Sequence, residues 1–313
     1  MKLLTGLLLG LLLLAPVHAF AAAAKTVQVG DATIMLPVMD GFVELYGKSP
    51  DFDKIVEHFV PEGNKLLAVY LSDADVVAMN ADPQAGLKKY ILVQANLNGN
   101  PVNTPADFNA VKEDFANQIG SGSWQDDKTI TDAMDNVSGY VKNQFGQAAA
   151  LKIGDTRYLG KIVDTPDALA VMMLTNYGMT TAKGEESYPV VAGLSTLQLK
   201  SNVVVAFVYS NYGAPADMDF VSQNLRKFVA QAVSLNNTIP VDAAAANAPT
   251  AATDDAAAKE PGDKAPDKPA PDADIGGAMF WATKAAVIIA VLAALLLLLP
   301  KLAKHFRRRD ESL

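Results

Sequence analysis

The sequence contains no cysteine, only three histidines and only two tryptophans. Without a thiol there is no disulfide framework, thiolate zinc site, iron–sulfur cluster, thiol nucleophile or lipidated cysteine. His18 and His305 lie close to the chain ends, which leaves His58 as the one imidazole of the central region. A multi-histidine zinc site is excluded there, and a Ser-His-Asp mechanism would rest on His58 alone. What the chain does have is apolar residues, 50% of 313, spread unevenly. Both ends carry aliphatic runs that do not belong to a globular core.

At the N-terminus, Lys2 precedes a leucine-rich run ending at Ala15, followed by Pro16-Val17-His18-Ala19-Phe20-Ala21-Ala22-Ala23. A basic start, an apolar run of about 7–15 residues and small residues ahead of the cut mark a secretory signal. Residues 1–23 are therefore expected to be a signal peptide, cut after Ala19, Ala21 or Ala23. Residues 279–299 form a 21-residue apolar run, close to the roughly 20 residues that cross a hydrocarbon core. Phe280 and Trp281 suit the outer interface, and Lys284 lies near enough to that end to snorkel. Beyond Pro300 stand Lys301, Lys304, Arg307, Arg308 and Arg309, an excess that marks the cytoplasmic side. The expectation is a bacterial inner-membrane protein with one span at 279–300, a periplasmic N-terminal domain and a basic cytoplasmic tail at 301–313.

The formal net charge of −8 divides unequally. Lys2 contributes +1, Lys284 +1 and the tail +3, so residues 20–278 carry −13. An acidic exterior argues against nucleic acid as a partner, because counterion release needs a basic surface. From 241 to 275 the composition collapses to Ala, Pro, Asp and Lys, with prolines at 249, 261, 266, 269 and 271. Such a segment cannot bury enough surface to offset its ordering entropy. Residues 241–278 are expected to be a disordered linker, and 35 residues of extended chain reach about 100 Å. Asp274-Ile275-Gly276-Gly277, ahead of the span and the arginines, resembles the Gly-Gly sorting tails of some Gram-negative exported proteins. A permanent anchor, with the glycines relieving the junction, is the preferred reading.

Residues 24–240 can bury a full core without disulfides or metal. Runs at 26–29 and 32–36, joined by Gly30-Asp31, predict a tight hairpin. Ser49-Pro50 opens a helix with Phe52, Ile55, Val56 and Phe59 on one face. Runs at 65–71 and 90–95 predict buried strands. Thr104-Pro105-Ala106-Asp107 caps a second helix with an inward stripe of Phe108, Val111, Phe115 and Ile119. A third is expected at about 131–145, after a flexible connector at 121–124. Runs at 151–153, 158–163, 169–175, 190–199 and 203–209, divided by short turn signals, predict an antiparallel meander. Ala214-Pro215-Ala216-Asp217 starts a last helix, with Val221, Leu225, Phe228, Val229 and Ala232 facing the sheet. The fold class is α+β, an antiparallel sheet covered by helices.

The opening hairpin ending Ile34-Met35-Leu36-Pro37, the hairpin from Leu197 to Tyr209 and the helix after Asp217 resemble the PsbP-like superfamily of exported domains. The resemblance implies a binding or assembly role at membranes; the segment around 72–90 departs from simpler members.

Signatures of chemistry fail on spacing. His58 reads as a surface or half-buried helix residue. Gly193-Leu194-Ser195-Thr196-Leu197 has the first glycine of a nucleophile elbow and lacks the second. Asp73 with Asp75, Asp126-Asp127, Asp132 with Asp135-Asn136, and Glu185-Glu186 read as turn acids without calcium-loop spacing. The expected function is therefore a tethered periplasmic binding or assembly module acting on envelope or inner-membrane proteins, with no cofactor and no enzymatic activity. The alternatives are a carrier or sensor of a small apolar or lipid ligand, and a carboxylate- or lysine-based enzyme.

Overall fold

A computed structural model describes residues 24–237, leaving aside 49, 59, 61–62, 83–86, 98–101, 122–134, 136–137, 140–149 and 182–183. The sequence-assigned signal, linker, span and tail lie outside the described residues, and with them Phe280, Trp281, Lys284, Lys301, Lys304, Arg307, Arg308 and Arg309. Among the described residues no helix is long and apolar enough to cross a membrane.

Strands β1 (Ala24–Val29) and β2 (Ala32–Pro37) pair antiparallel as a separate hairpin. Gly30 makes the turn at φ +56°, a left-handed conformation glycine adopts without a Cβ penalty. The main sheet holds β3 (Phe42–Glu44), β4 (Asn64–Ser72), β5 (Lys89–Asn96), β6 (Ala150–Thr165), β7 (Ala168–Thr181), β8 (Gly184–Leu199) and β9 (Asn202–Asn211). Their order is β3-β4-β5-β9-β8-β7-β6, and every neighbouring pair is antiparallel. The helices are α1 (Pro50–His58), α2 (Asp73–Ala81), α3 (Pro105–Ser121) and α4 (Pro215–Asn237). The chain is thus α+β with one large antiparallel sheet, and its last four strands run as the expected meander.

The expected stripe of α4, Val221, Leu225, Phe228, Val229 and Ala232, is buried on one face of this sheet. It packs with Val191, Ala206 and Val208, the odd positions of β8 and the even positions of β9. Gly193 belongs to that face, and a Cβ there would stand 2.8 Å from Val221 Cγ1 and 2.9 Å from Leu225 Cδ2. The missing side chain is what lets the helix approach. Asp217 starts α4 by accepting from the backbone N–H of Gly213 and of Ala214, each at 3.0 Å. At the other end Asn236 accepts from Met35 N (2.8 Å) and donates to Met35 O (2.7 Å), which sews the β1–β2 hairpin to the helix. Asn237 donates to Gln198 O (2.8 Å) and accepts from Lys200 N (3.1 Å).

Helix α3 covers part of the opposite face, where it meets β7 and β8. Its start follows the expected box: Asp107 Oδ2 accepts from Thr104 N (2.9 Å), and Thr104 Oγ1 accepts from Asp107 N (3.2 Å). Phe108, Phe115 and Ile119 are buried beneath it, and Val111 is half-buried. Lys112 Nζ donates to Asp164 Oδ1 (3.2 Å) and Thr165 O (2.8 Å), pinning the helix to the end of β6.

Three expectations are corrected. The runs at 151–153 and 158–163 are one strand, β6, because Gly154-Asp155 is a bulge rather than a turn. Ile153 pairs with Tyr177 and Thr156 with Thr175, so two residues oppose Asn176 alone. Further register shifts follow at Leu159 and Ile162. Second, Glu185 and Glu186 lie in β8, paired with Thr180 and Met179, and not in a loop. Third, Asp73 and Asp75 occupy the first turn of α2, capped by Ser72 Oγ, which accepts from Asp75 N at 3.1 Å. The helix expected at 131–145 lies outside the described residues, apart from 135, 138 and 139, which are helical.

Candidate functional site

The residues weighed for chemistry in the sequence are not brought together. His58 closes α1. Ser195 is fully buried and its Oγ donates to Ala206 O at 3.2 Å, so its hydroxyl is committed to the sheet. Gly193 beside it is a helix-packing position. Asp75 is a buried carboxylate at 4% exposure, whose Oδ2 accepts from the backbone N–H of Lys88 (3.1 Å) and Lys89 (2.7 Å). It therefore ties the end of the α2–β5 connection to α2, a structural use of a residue read as a solvated turn acid. Asp126, Asp127, Asp132 and Asn136 lie outside the described residues, while Asp135 is exposed. Among the described residues no group of three or more His, Cys, Asp or Glu is placed to hold a metal ion.

Elsewhere the charged groups form local ties. Lys89 Nζ stands 3.4 Å from Asp217 Oδ1 and 4.4 Å from the centroid of the Phe220 ring. Burial draws the Asp217 carboxyl upward, but the Gly213 and Ala214 N–H groups and Lys89 outweigh it and leave it below its ordinary value of 3.8. Near the hairpin, Lys25 pairs with Glu44 and lies over Tyr46, whose hydroxyl donates to Glu57 (2.6 Å).

A different cluster was missed in the sequence. Strand pairing sets Tyr90 on β5 opposite Tyr209 on β9, then Ala192 on β8 and Met173 on β7 in one row across the sheet. Tyr177 lies on the same face of β7, four residues beyond Met173. This is the face turned away from α4. The rings of Tyr90 and Tyr209 stack at 4.7 Å between centroids and 24° between planes, and Phe207 follows at 6.1 Å from Tyr209. All three tyrosines are at most 2% exposed.

Among the described residues their hydroxyls have no hydrogen-bond partner, and neither does that of Thr196 on the same face of β8. A buried hydroxyl left unpaired costs about 1–3 kcal/mol. Burial pushes all three phenols far above their ordinary value of 10.0. Tyr177 further raises Tyr90, and Tyr90 and Tyr177 both raise Tyr209, so the three oxygens feel one another. The Thr175 hydroxyl lies close enough to Tyr177 to oppose its shift, without meeting hydrogen-bond geometry; it is bonded to Thr156 Oγ1 at 3.0 Å. The outcome is three neutral phenol groups at physiological pH, each with a proton to donate. Alternation in β5 and β9 places Tyr90 with Leu92 and Tyr209 with Phe207, a signal the sequence does contain.

No known protein family matches the chain, and no curated protein does either. Solved structures similar to it, in fold alone and at low scores, include the following three. The Ran-binding protein Mog1p of Saccharomyces cerevisiae is 14% identical, with a TM-score of 0.32 over 67% of this chain and 94% of that one. A point variant of protein Mog1 is 13% identical, with a TM-score of 0.29 over 69% and 93%. The cyanobacterial PsbP (CyanoP) of Synechocystis sp. PCC 6803 is 12% identical, with a TM-score of 0.27 over 69% and 94%.

Proposed function

We propose that this chain is a single-pass, membrane-tethered binding or assembly module of the bacterial inner membrane. Its folded domain faces the periplasm, acts on envelope proteins and performs no catalysis of its own. The observation that carries this reading is the order of segments in the sequence. A basic and leucine-rich start precedes the domain; an Ala/Pro/Asp/Lys stretch, a 21-residue apolar run and five basic residues follow it. The acidic balance of residues 20–278 suits protein surfaces better than nucleic acid or anionic lipid.

The absence of native cysteine makes the topology directly testable. Single variants Ala257→Cys, in the linker, and Ser312→Cys, in the tail, are labelled in cells with a membrane-impermeant maleimide after the outer membrane is opened. The expected result is labelling at 257 in intact spheroplasts and at 312 only after lysis. Labelling of 312 before lysis, or protection of 257, overturns the topology. Crosslinking of the full chain in living cells is expected to capture a recurring envelope protein, and capture of none overturns the assembly role.

A further inference from the structure

The α4 face of the sheet is not covered to its edge. A helix about 10 Å across spans two strands spaced about 4.8 Å apart. Helix α4 sits over β8 and β9, drawn down at Gly193. Beside it the β1–β2 hairpin shares a core with β4 and β5, Ile34 and Leu36 joining Leu67, Tyr70 and Ile91. Strands β7 and β6 continue past the helix. Register puts Met172 in one row with Gly193 and Gly160, and Leu174 in one row with Val191 and Arg157. Val191 and Gly193 are buried under α4, whereas Met172, Leu174 and Gly160 are half-buried and Arg157 is exposed. Met172 and Leu174 thus carry the core out onto an open shelf.

Contacts fix which flank of α4 borders this shelf. Phe220 lies 6.0 Å from Phe42, and Lys227 pairs with Asp40, so that flank looks toward β3. On the opposite flank, Asn237 donates to Asp167, between β6 and β7, at 3.2 Å. Arg226 lies about three turns before Asn237 and shares its flank with half-buried Ser222 and Val233. Arg157 and Arg226 are the only arginines among the described residues; both are exposed, and neither has an ion pair or hydrogen bond there. Asp155 in the β6 bulge and Asp219 on α4, the acids nearest to them in sequence, leave them unpaired. They stand out on a chain whose residues 20–278 carry −13.

We propose that the shelf formed by β6, β7 and the Arg226 flank of α4 docks an amphipathic helix of a partner protein. Its apolar side rests on Met172 and Leu174, and its carboxylates meet Arg157 and Arg226. A helix laid beside α4 at the usual spacing of about 8–10 Å covers the two bare strands. A thioether and an aliphatic side chain make the adaptable kind of floor on which such helices dock. Guanidinium groups stay charged at physiological pH and take carboxylates in fork geometry, so they select an acidic partner and reject a basic one. The inference rests on the assembly reading and adds to it the place of contact and the chemistry of the partner.

The test replaces Leu174 with the photocrosslinking residue p-benzoylphenylalanine in the full chain, in its native cells, and sequences the crosslinked peptides. A second variant carries the same residue at Val77 on α2, a position 68% exposed. The expected adduct of the Leu174 probe is a net acidic peptide of another protein, with apolar residues at i, i+3 and i+4. Arg157→Glu with Arg226→Glu is expected to lower that adduct at least about tenfold, whereas Arg157→Lys with Arg226→Lys keeps most of it. Both positions are exposed, and a thermal melt verifies that each double variant folds. An adduct on lipid, on a second copy, on this chain's residues 122–149 or 241–278, or on a basic segment overturns the proposal. So does an acidic adduct indifferent to charge reversal. Adducts at Val77 alone overturn the docking site and leave the assembly reading standing; adducts at neither position overturn both.

Discussion

The two faces of the seven-stranded sheet differ in how many of their buried polar groups are paired. Under α4, most buried polar groups are paired: Ser195 bonds to Ala206 O, Asn236 to both backbone groups of Met35, and Tyr70 to Pro37 O at 3.1 Å, while Gln231 Oε1 on the helix has no partner among the described residues. On the other face, Gln94 and Thr175 are bonded, but Tyr90, Tyr177, Tyr209 and Thr196 bury hydroxyls with no partner among the described residues. Apolar burial holds both faces together, so the difference is not one of hydrophobicity. It lies in whether polar atoms specify the packing or are held ready for something else. A face whose polar groups close on themselves is a structural core, and one whose donors stay open stores unmet hydrogen-bonding capacity.

Substitutions can break this contrast, and the largest effects belong to the α4 face. Phe228→Ala, at a fully buried position, is expected to destabilise by about 3–5 kcal/mol in urea unfolding, the usual cost of an emptied aromatic site. Gly193→Ala forces a methyl to within 2.9 Å of both Val221 and Leu225 and is expected to lower stability by about 1–3 kcal/mol through overpacking. Asn236→Leu keeps the volume and leaves Met35 N–H and C=O unpaired, a loss of about 1–3 kcal/mol. The opposite face should reverse the sign. Tyr209→Phe removes an unpaired hydroxyl and is expected to raise the unfolding midpoint, by about 1 kcal/mol in free energy. A fall of similar size would show that the hydroxyl is bonded and that the contrast between the faces is false.

The smallest effect concerns pH. Asp217 has a folded value below its ordinary 3.8, so the unfolded chain takes up the proton first as acid is added. Its contribution is complete above the unfolded value and is lost as the pH falls through the lower folded one. Asp217→Asn is expected to cost about 0.5–1 kcal/mol at neutral pH and to flatten the acid side of the stability profile between about pH 5 and 3.

What could be read from the residues in advance divides along the same line. The α4 stripe and the Thr104–Asp107 cap were legible because helical spacing and capping are local: each partner sits within a few residues of the other. Gly154-Asp155 was misread because a bulge and a turn use the same residue types, and only the partner strand, with Asn176 opposite the pair, decides between them. Helix α2 was missed because Asp73 and Asp75 are equally good in a turn and in a first helical turn, and its nine residues, with Val77 at 68% exposure, bury little that would show as a stripe. The tyrosine cluster combines positions 90, 177 and 209, which meet only through strand order. Gly193 fails a catalytic motif on spacing alone, but its packing role shows only with the helix above it in view.

The clamp formed by Asn236 and Asn237 bears on mechanics. Asn237 is the last residue of α4, and the Ala/Pro/Asp stretch begins a few positions later in the chain. A pull from that side reaches the domain at a point stitched to β2 through Met35 and to the β8–β9 turn through Gln198 and Lys200. Two separate sheets share the load before any turn of the helix can peel, so tension along the chain is spread into the whole body of the domain instead of unravelling its end.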